Sequence, residues 1–202
     1  MARRTQSAAP RATLDRRDAV PALIGDASDF MIVAGLAGTA RDVAALTADG
    51  SGAFALAGAM GAAAMIGLGL TLARPDRRVL VVTGDGELLM NLGALATIAV
   101  VNPPNLAILC VDNGRYEETG GQWSHTSRGV DLAGIAAAAG IADTSMVETA
   151  DQIPAAARLL RRGGGTRFVL LRVKPGEAPA VRRVLDAAAC RTRFRQALLG
   201  RP

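Results

Sequence analysis

Four short apolar runs constrain this chain most. They are Asp29–Ala34 (DFMIVA), Arg78–Thr83 (RVLVVT), Asn105–Val111 (NLAILCV) and Arg167–Val173 (RFVLLRV). Each is continuously apolar rather than alternating, as strands buried on both faces are. The segments between them read as helices: Leu14–Ile24, Thr39–Leu46, Met60–Ala73, Glu87–Val101, Asp131–Ala139 with Asp131 as its cap, and Asp151–Arg162. Ser145–Glu148 reads as a further short strand and Pro179–Leu199 as a final basic helix. Strand and helix therefore alternate, which predicts an α/β fold of three layers, a mostly parallel sheet flanked by helices. Ligands of such sheets bind at the carboxyl ends of the strands. The loops after Ala34, Thr83 and Val111 fall there.

The length of 202 residues suits one domain, read as 14–202 behind a mobile basic tail at 1–13. Hydrophobic residues make up 50% of the chain, which excludes a mostly disordered protein, and aromatics only 3%, which argues against a base-stacking platform. The net charge of +5 comes from arginines crowded at the two ends, such as Arg3, Arg4, Arg16 and Arg17, and Arg191, Arg193 and Arg195. These read as basic ends of a soluble domain, not as a nucleic-acid surface. Gly50–Ala73 carries no charge and is long enough to span a bilayer, but six glycines interrupt it. It reads as a glycine-containing loop over Thr47–Gly58 followed by a buried helix, with no membrane span. Met1–Asp15 lacks the apolar stretch of a secretory signal. Cys110 and Cys190 lie far apart with no metal-ligand spacing, so a reducing cytoplasm is the expected location.

The chemistry concentrates in VVTGDGELL and LCVDNGRY. Gly84-Asp85-Gly86 is expected to make a tight turn from strand into helix, where glycine lets the backbone approach an anion and the free N–H groups of the helix start face it. Asp85 is itself anionic, so it reaches a phosphate only through a divalent cation with oxygen ligands. Asn113, at the end of the next strand, supplies a second oxygen, and the carbonyl of Arg115 a third. The resulting picture is Mg2+ bridging a diphosphate, held by Asp85, Asn113 and Arg115.

This pattern resembles the fingerprint of the thiamin diphosphate enzymes, a GDG followed by an Asn-Asn-like pair. Here the pair is Asp112-Asn113, a departure at its first position only. Upstream, Gly58-Ala59-Met60-Gly61 stands where that family carries a G-x-hydrophobe-G turn. The resemblance implies that the Gly58 carbonyl receives the 4′-amino group of the cofactor and that Met60 bends the cofactor into its V shape; plain core packing is the other reading of Met60. It also implies diphosphate contacts from Gly35, Leu36, Gly84, Gly86 and the backbone N–H of Glu87, whose side chain is expected to serve the helix start.

GDGELLMNLGALATIAVVNPPNLAILCVDN and ETGGQ look like the diphosphate-binding half of sulfopyruvate and phosphonopyruvate decarboxylases, and in particular the beta subunit of the split enzymes. The resemblance implies a small-molecule 2-oxo acid as substrate and a glutamate supplied by a separate pyrimidine-binding, alpha-type subunit in a hetero-oligomer of paired halves. Glu87, Glu117 and Glu118 are poor substitutes for that glutamate. A long polar loop runs over Asp112–Arg128, and its part Arg115–Arg128 is expected to cover the site. His125, the only histidine, reads first as a solvated loop residue and second as a proton donor or substrate contact. Arg128 is a surface residue or a partner for an anionic substrate tail.

Several rivals remain. Transketolase-like carboligation shares GDGE but not TGGQ. The beta subunit of an oxo-acid:ferredoxin oxidoreductase needs cluster-binding cysteines. A cofactor-binding module without turnover would also keep these motifs. A nicotinamide-binding fold is disfavoured because the first strand–helix turn reads GLAG.

Overall fold

A computed structural model describes residues 12–200, so the expected tail at 1–13 lies almost wholly outside the described residues. The elements are α1 (Arg16–Ile24), β1 (Met31–Ala34), α2 (Gly38–Thr47), β2 (Ala53–Ala55), α3 (Ala63–Ala73), β3 (Val79–Gly84), α4 (Asp85–Leu89), α5 (Gly93–Val101), β4 (Leu106–Asp112), β5 (Arg115–Tyr116), β6 (Gln122–Trp123), α6 (Leu132–Ala138), β7 (Asp143–Val147), α7 (Ile153–Arg161), β8 (Arg167–Arg172) and α8 (Ala187–Leu199).

Six strands form one sheet in the order β2-β1-β3-β4-β8-β7, and every neighbouring pair is parallel. Successive residues of each central strand feed opposite faces. Ile32, Leu80, Leu109 and Val169 pack with Val20 and Leu23 of α1, Val43 of α2 and Leu160 of α7. Val33, Val81, Ile108 and Phe168 pack with Leu68 of α3, Leu95 and Ile98 of α5 and Leu132 of α6. Burial on both faces is why the strands read as continuous apolar runs. The result is the expected three-layer α/β/α architecture. The chain turns from β1 to β2 on one side and to β3 on the other, so a crevice opens between the carboxyl ends of β1 and β3.

Several local expectations are corrected. Gly84-Asp85-Gly86 is not a separate turn: Gly84 is the extended N-cap of α4, and the helix starts at Asp85. The expected helix over Glu87–Val101 is two helices, broken at Met90–Leu92. There the Asn91 side chain leaves the helix path and donates to the Gly61 carbonyl at 3.1 Å. The helix expected from Met60 begins at Ala63, because Gly61, which takes that hydrogen bond, has a left-handed φ of 80°. Thr47–Gly58 contains the edge strand β2, and Asp112–Arg128 contains the antiparallel pair β5–β6. The last helix starts at Ala187, not Pro179. Asp186 caps it by accepting from the Ala188 and Ala189 N–H groups, and the Val184 N–H is held by Asp49 at 2.9 Å. Among the described residues no helix is long and apolar enough to cross a membrane.

Candidate active site

A cavity of about 350 Å³ occupies the crevice at the carboxyl ends of β1, β3 and β4. Leu36, Met60, Gly84, Asp85, Gly86, Glu87, Asn113 and Arg115 all line it. Four separate stretches of sequence thus meet at one place because the strands they follow, β2, β1, β3 and β4, are neighbours.

Asp85 stands at the first position of α4 and is 2% exposed. Its Oδ2 accepts from Ser124 Oγ and lies 3.1 Å from Thr126 Oγ1. Thr126 Oγ1 also lies 2.7 Å from Oδ1 of Asp112, so one hydroxyl proton serves two carboxylates. Asp112 takes a further hydrogen bond from the Gly114 N–H at 3.0 Å. Burial, and then the charge of Asp112, push the Asp85 carboxyl up to about 7. Burial raises Asp112 as well, with Arg172 3.9 Å away as partial compensation. Two buried acids side by side are costly unless a cation or a proton joins them.

The oxygens around this pair suit a hard divalent cation. Asn113 folds so that its Oδ1 accepts from the Arg115 N–H at 3.0 Å. Arg115 pairs with Trp123, and the Ser124 N–H donates to the Gly114 carbonyl at 2.9 Å. That makes Arg115–Trp123 the non-hydrogen-bonded pair of its ladder, so the Arg115 carbonyl is not used in it. At Gly84 the nearest atom to an added β-carbon is 4.0 Å away, which leaves the backbone open to a ligand. Hard oxygens beside open backbone at a helix start fit a magnesium diphosphate.

Glu87 is 5% exposed and folds back beneath β1. Its Oε2 accepts from Thr83 Oγ1 at 3.0 Å, while Oε1 has no partner among the described residues. Burial raises its carboxyl above the usual range. Gly35 makes room for it: a β-carbon there would lie 1.6 Å from Oε2. Gly35 itself does not line the cavity. Gly86 is likewise dictated by its neighbour, since an added β-carbon would lie 2.5 Å from the Tyr116 ring.

The remaining residues are less enclosed. Met60 is 39% exposed at the cavity edge, which excludes plain core packing in this chain. Gly58 is exposed and outside the lining. His125 is exposed, lies outside the lining and faces the Tyr116 hydroxyl at 3.4 Å. Arg128 is exposed.

Sequence reasoning missed Arg16, Ser124 and Thr126. Arg16 is 4% exposed; its Nε and Nη2 are held by Asp42, the latter at 2.6 Å, and its Nη1 lies over Gly38 at the cavity wall. Nothing local separates it from the other terminal arginines. Ser124 and Thr126 left no periodic signal either, because the chain turns at His125, whose backbone is helical, into a 3-10 turn over Thr126–Arg128, and that turn brings both hydroxyls to Asp85.

Comparison with known proteins identifies the family. Residues 46–173 match the family described as thiamine pyrophosphate enzyme, C-terminal TPP binding domain. The chain is 35% identical over 181 residues to sulfopyruvate decarboxylase subunit beta of Methanothermobacter thermautotrophicus, covering 90% of this chain and 94% of that one. It is 42% identical over 130 residues to phosphonopyruvate decarboxylase of Streptomyces hygroscopicus, covering 64% of this chain and 32% of that one. Among solved structures it superposes on the thiamine diphosphate-dependent 4-hydroxybenzoylformate decarboxylase of Rhodococcus jostii with a TM-score of 0.64 at 20% identity, over 88% of this chain and 36% of that one, which establishes a shared fold. With motif, geometry and full-length similarity in agreement, the chain belongs to the thiamine pyrophosphate enzyme family, as its cofactor-binding C-terminal domain.

Proposed function

We propose that this chain is the diphosphate-binding subunit of a thiamin diphosphate-dependent 2-oxo acid decarboxylase of the sulfopyruvate and phosphonopyruvate type. The observation that carries this is its similarity to a separate beta subunit along nearly that subunit's whole length. Residues 14–202 act as one cofactor-binding domain, and the expected compartment is the cytoplasm.

In this reading Asp85, Asn113 and the Arg115 carbonyl hold Mg2+ against the diphosphate. Leu36, Gly84, Gly86 and the Glu87 N–H line its seat, with Gly35 behind them, and Met60 and the Gly58 carbonyl hold the opposite end. When bound, the cofactor supplies a carbanionic carbon that attacks a 2-oxo acid and accepts the electrons released with carbon dioxide. This chain orients that group and closes the site with β5–β6, whose Tyr116 packs on Gly86. His125 remains the weaker candidate for a proton donor.

The glutamate that activates the cofactor comes from a pyrimidine-binding alpha-type subunit. The glutamates of this cavity are otherwise engaged: Glu87 faces Thr83, Glu117 accepts from the Gly176 N–H at 3.3 Å, and Glu118 faces Arg41 at 3.5 Å. The outer face of α3 and α5 supports such a partner. Met65, Ile66, Leu72, Val100 and Val101 are exposed there, and Val100 is 87% exposed. Large apolar side chains left exposed on two neighbouring helices support an interface there.

The test is coexpression with a pyrimidine-type subunit, followed by 2-oxo acid consumption with thiamin diphosphate and Mg2+. Turnover is expected from the pair only. Turnover by this chain alone overturns the split-enzyme reading.

A further inference from the structure

A second cavity, of about 250 Å³, opens at the opposite end of the sheet, beneath the amino ends of β3 and β8. It is lined by four arginines, Arg78, Arg161, Arg162 and Arg167, and by no carboxylate. Arg167 is 2% exposed. Its Nη1 donates to the Pro104 carbonyl at 2.8 Å, but its Nε and Nη2 are buried with no partner among the described residues. Those two nitrogens form one edge of the guanidinium, the fork that grips an oxyanion through two parallel hydrogen bonds. Gly163 runs alongside, where an added β-carbon would lie 3.9 Å from Nη2.

The charges around this cavity are not all paired among the described residues. Arg161 is paired with Asp29 at 2.9 Å, and Arg162 with Asp143. Arg78 and Arg167 have no carboxylate within ion-pair distance among the described residues, which leaves two guanidinium groups around one cavity without a direct counter-charge. Burial pulls the Arg167 guanidinium below its usual range; the charge of Asp143 opposes that, and Arg162 and Arg78 add to it. Water can fill the hydrogen bonds of a buried guanidinium but brings no negative charge to offset its desolvation.

We propose that this cavity is a binding site for a phosphate-class tetrahedral dianion, gripped by the Nε–Nη2 edge of Arg167 with Arg78 at the mouth. Two unspent cations favour a dianion over a monocarboxylate. The site stands at the other end of the strands from the thiamin diphosphate cavity and does not depend on the reading given to that cavity.

The experiment is titration of the full chain with inorganic phosphate at constant ionic strength, followed by calorimetry and thermal melts against chloride. Phosphate is expected to bind and to raise Tm where chloride does not. Arg167→Met should weaken binding at least tenfold. The exposed Arg78→Gln, which does not touch the core, should weaken it by about threefold. Glycerol 3-phosphate, run alongside, tells a free ion from a phosphoryl group on a larger molecule; binding of either supports the proposal. Equal stabilisation by chloride, unchanged phosphate affinity in Arg167→Met, or complete loss of phosphate binding when thiamin diphosphate and Mg2+ are added would each overturn it, the last because it locates the phosphate at the other end.

Discussion

The two ends of the sheet make opposite electrostatic choices. At the carboxyl end, Asp85, Asp112 and Glu87 are all buried, and burial holds their carboxyls above the usual range. At the amino end, Arg167 is buried among other arginines and is pulled below its usual range. A fold that only needed stability would place neither group there, because buried like charges oppose folding. Each end therefore reads as half of a complex whose counter-ion arrives from solution: a divalent cation above, an oxyanion below. The asymmetry is chemical as well. The acids share hydroxyl groups from Ser124 and Thr126 that can pass a proton between them, whereas a guanidinium has no such escape.

The largest expected effect breaks the acidic end. In the assembled enzyme Asp85→Ala should lower Mg2+-dependent thiamin diphosphate affinity by more than about 100-fold, beyond what loss of an outer-shell partner costs; calorimetry measures it, and unchanged affinity removes Asp85 from the metal site. Next, in phosphate-free buffer, Arg167→Met should stabilise the chain by about 1–3 kcal/mol in urea melts, less whatever the hydrogen bond to Pro104 contributed. A clear loss of stability instead would mean that Arg167 is compensated within the fold, and the two ends would no longer be comparable.

The third prediction concerns pH. The folded Asp85 keeps its proton to about 7, whereas an unfolded aspartate releases it near 3.8. Between these values the folded state binds more protons, so stability falls as pH rises from about 4 to about 7, at no more than about 1.4 kcal/mol per pH unit. Urea melts in chelator across that range should show the decline, and Asp85→Asn should flatten it. The smallest effect is expected at the basic mouth: Arg78→Gln should shift stability by no more than about 0.5 kcal/mol in the same melts. A larger loss would make Arg78 a structural contact rather than an unspent charge.

What was legible in the sequence was what chain neighbours determine. The four apolar runs became β1, β3, β4 and β8 because burial on both faces leaves no polar position in a strand. GDG and Asp112-Asn113 were readable because short spacings after a strand put them at one sheet end. Tertiary causes were not. The break between α4 and α5 follows from Asn91 reaching Gly61, thirty positions earlier. Ala-, Val- and Arg-rich residues 179–186 look helical, but Asp49 holds Val184 and Asp186 starts the helix later. Gly35 read as a cofactor contact, while its clearest constraint here is the Glu87 carboxylate packed against it. Arg16 looked like a member of a diffuse basic excess, and Arg167 like no more than the first residue of an apolar strand. Their burial depends on α2 and on the β4–β8 pairing, which their sequence neighbours do not encode.

The sheet order also bears on synthesis. Among the described residues β8 is the last strand in chain order, yet it lies inside the sheet between β4 and β7, and β7 has no other strand partner there. Until Arg172 has left the ribosome, β4 therefore offers a bare edge of seven fully buried-type residues, and β7 waits unpaired. Such an edge is a template for pairing with another nascent chain. Products ending before Arg167 should accordingly accumulate as aggregates rather than as a smaller folded sheet, because β8 is the strand that joins β7 to the rest of the sheet.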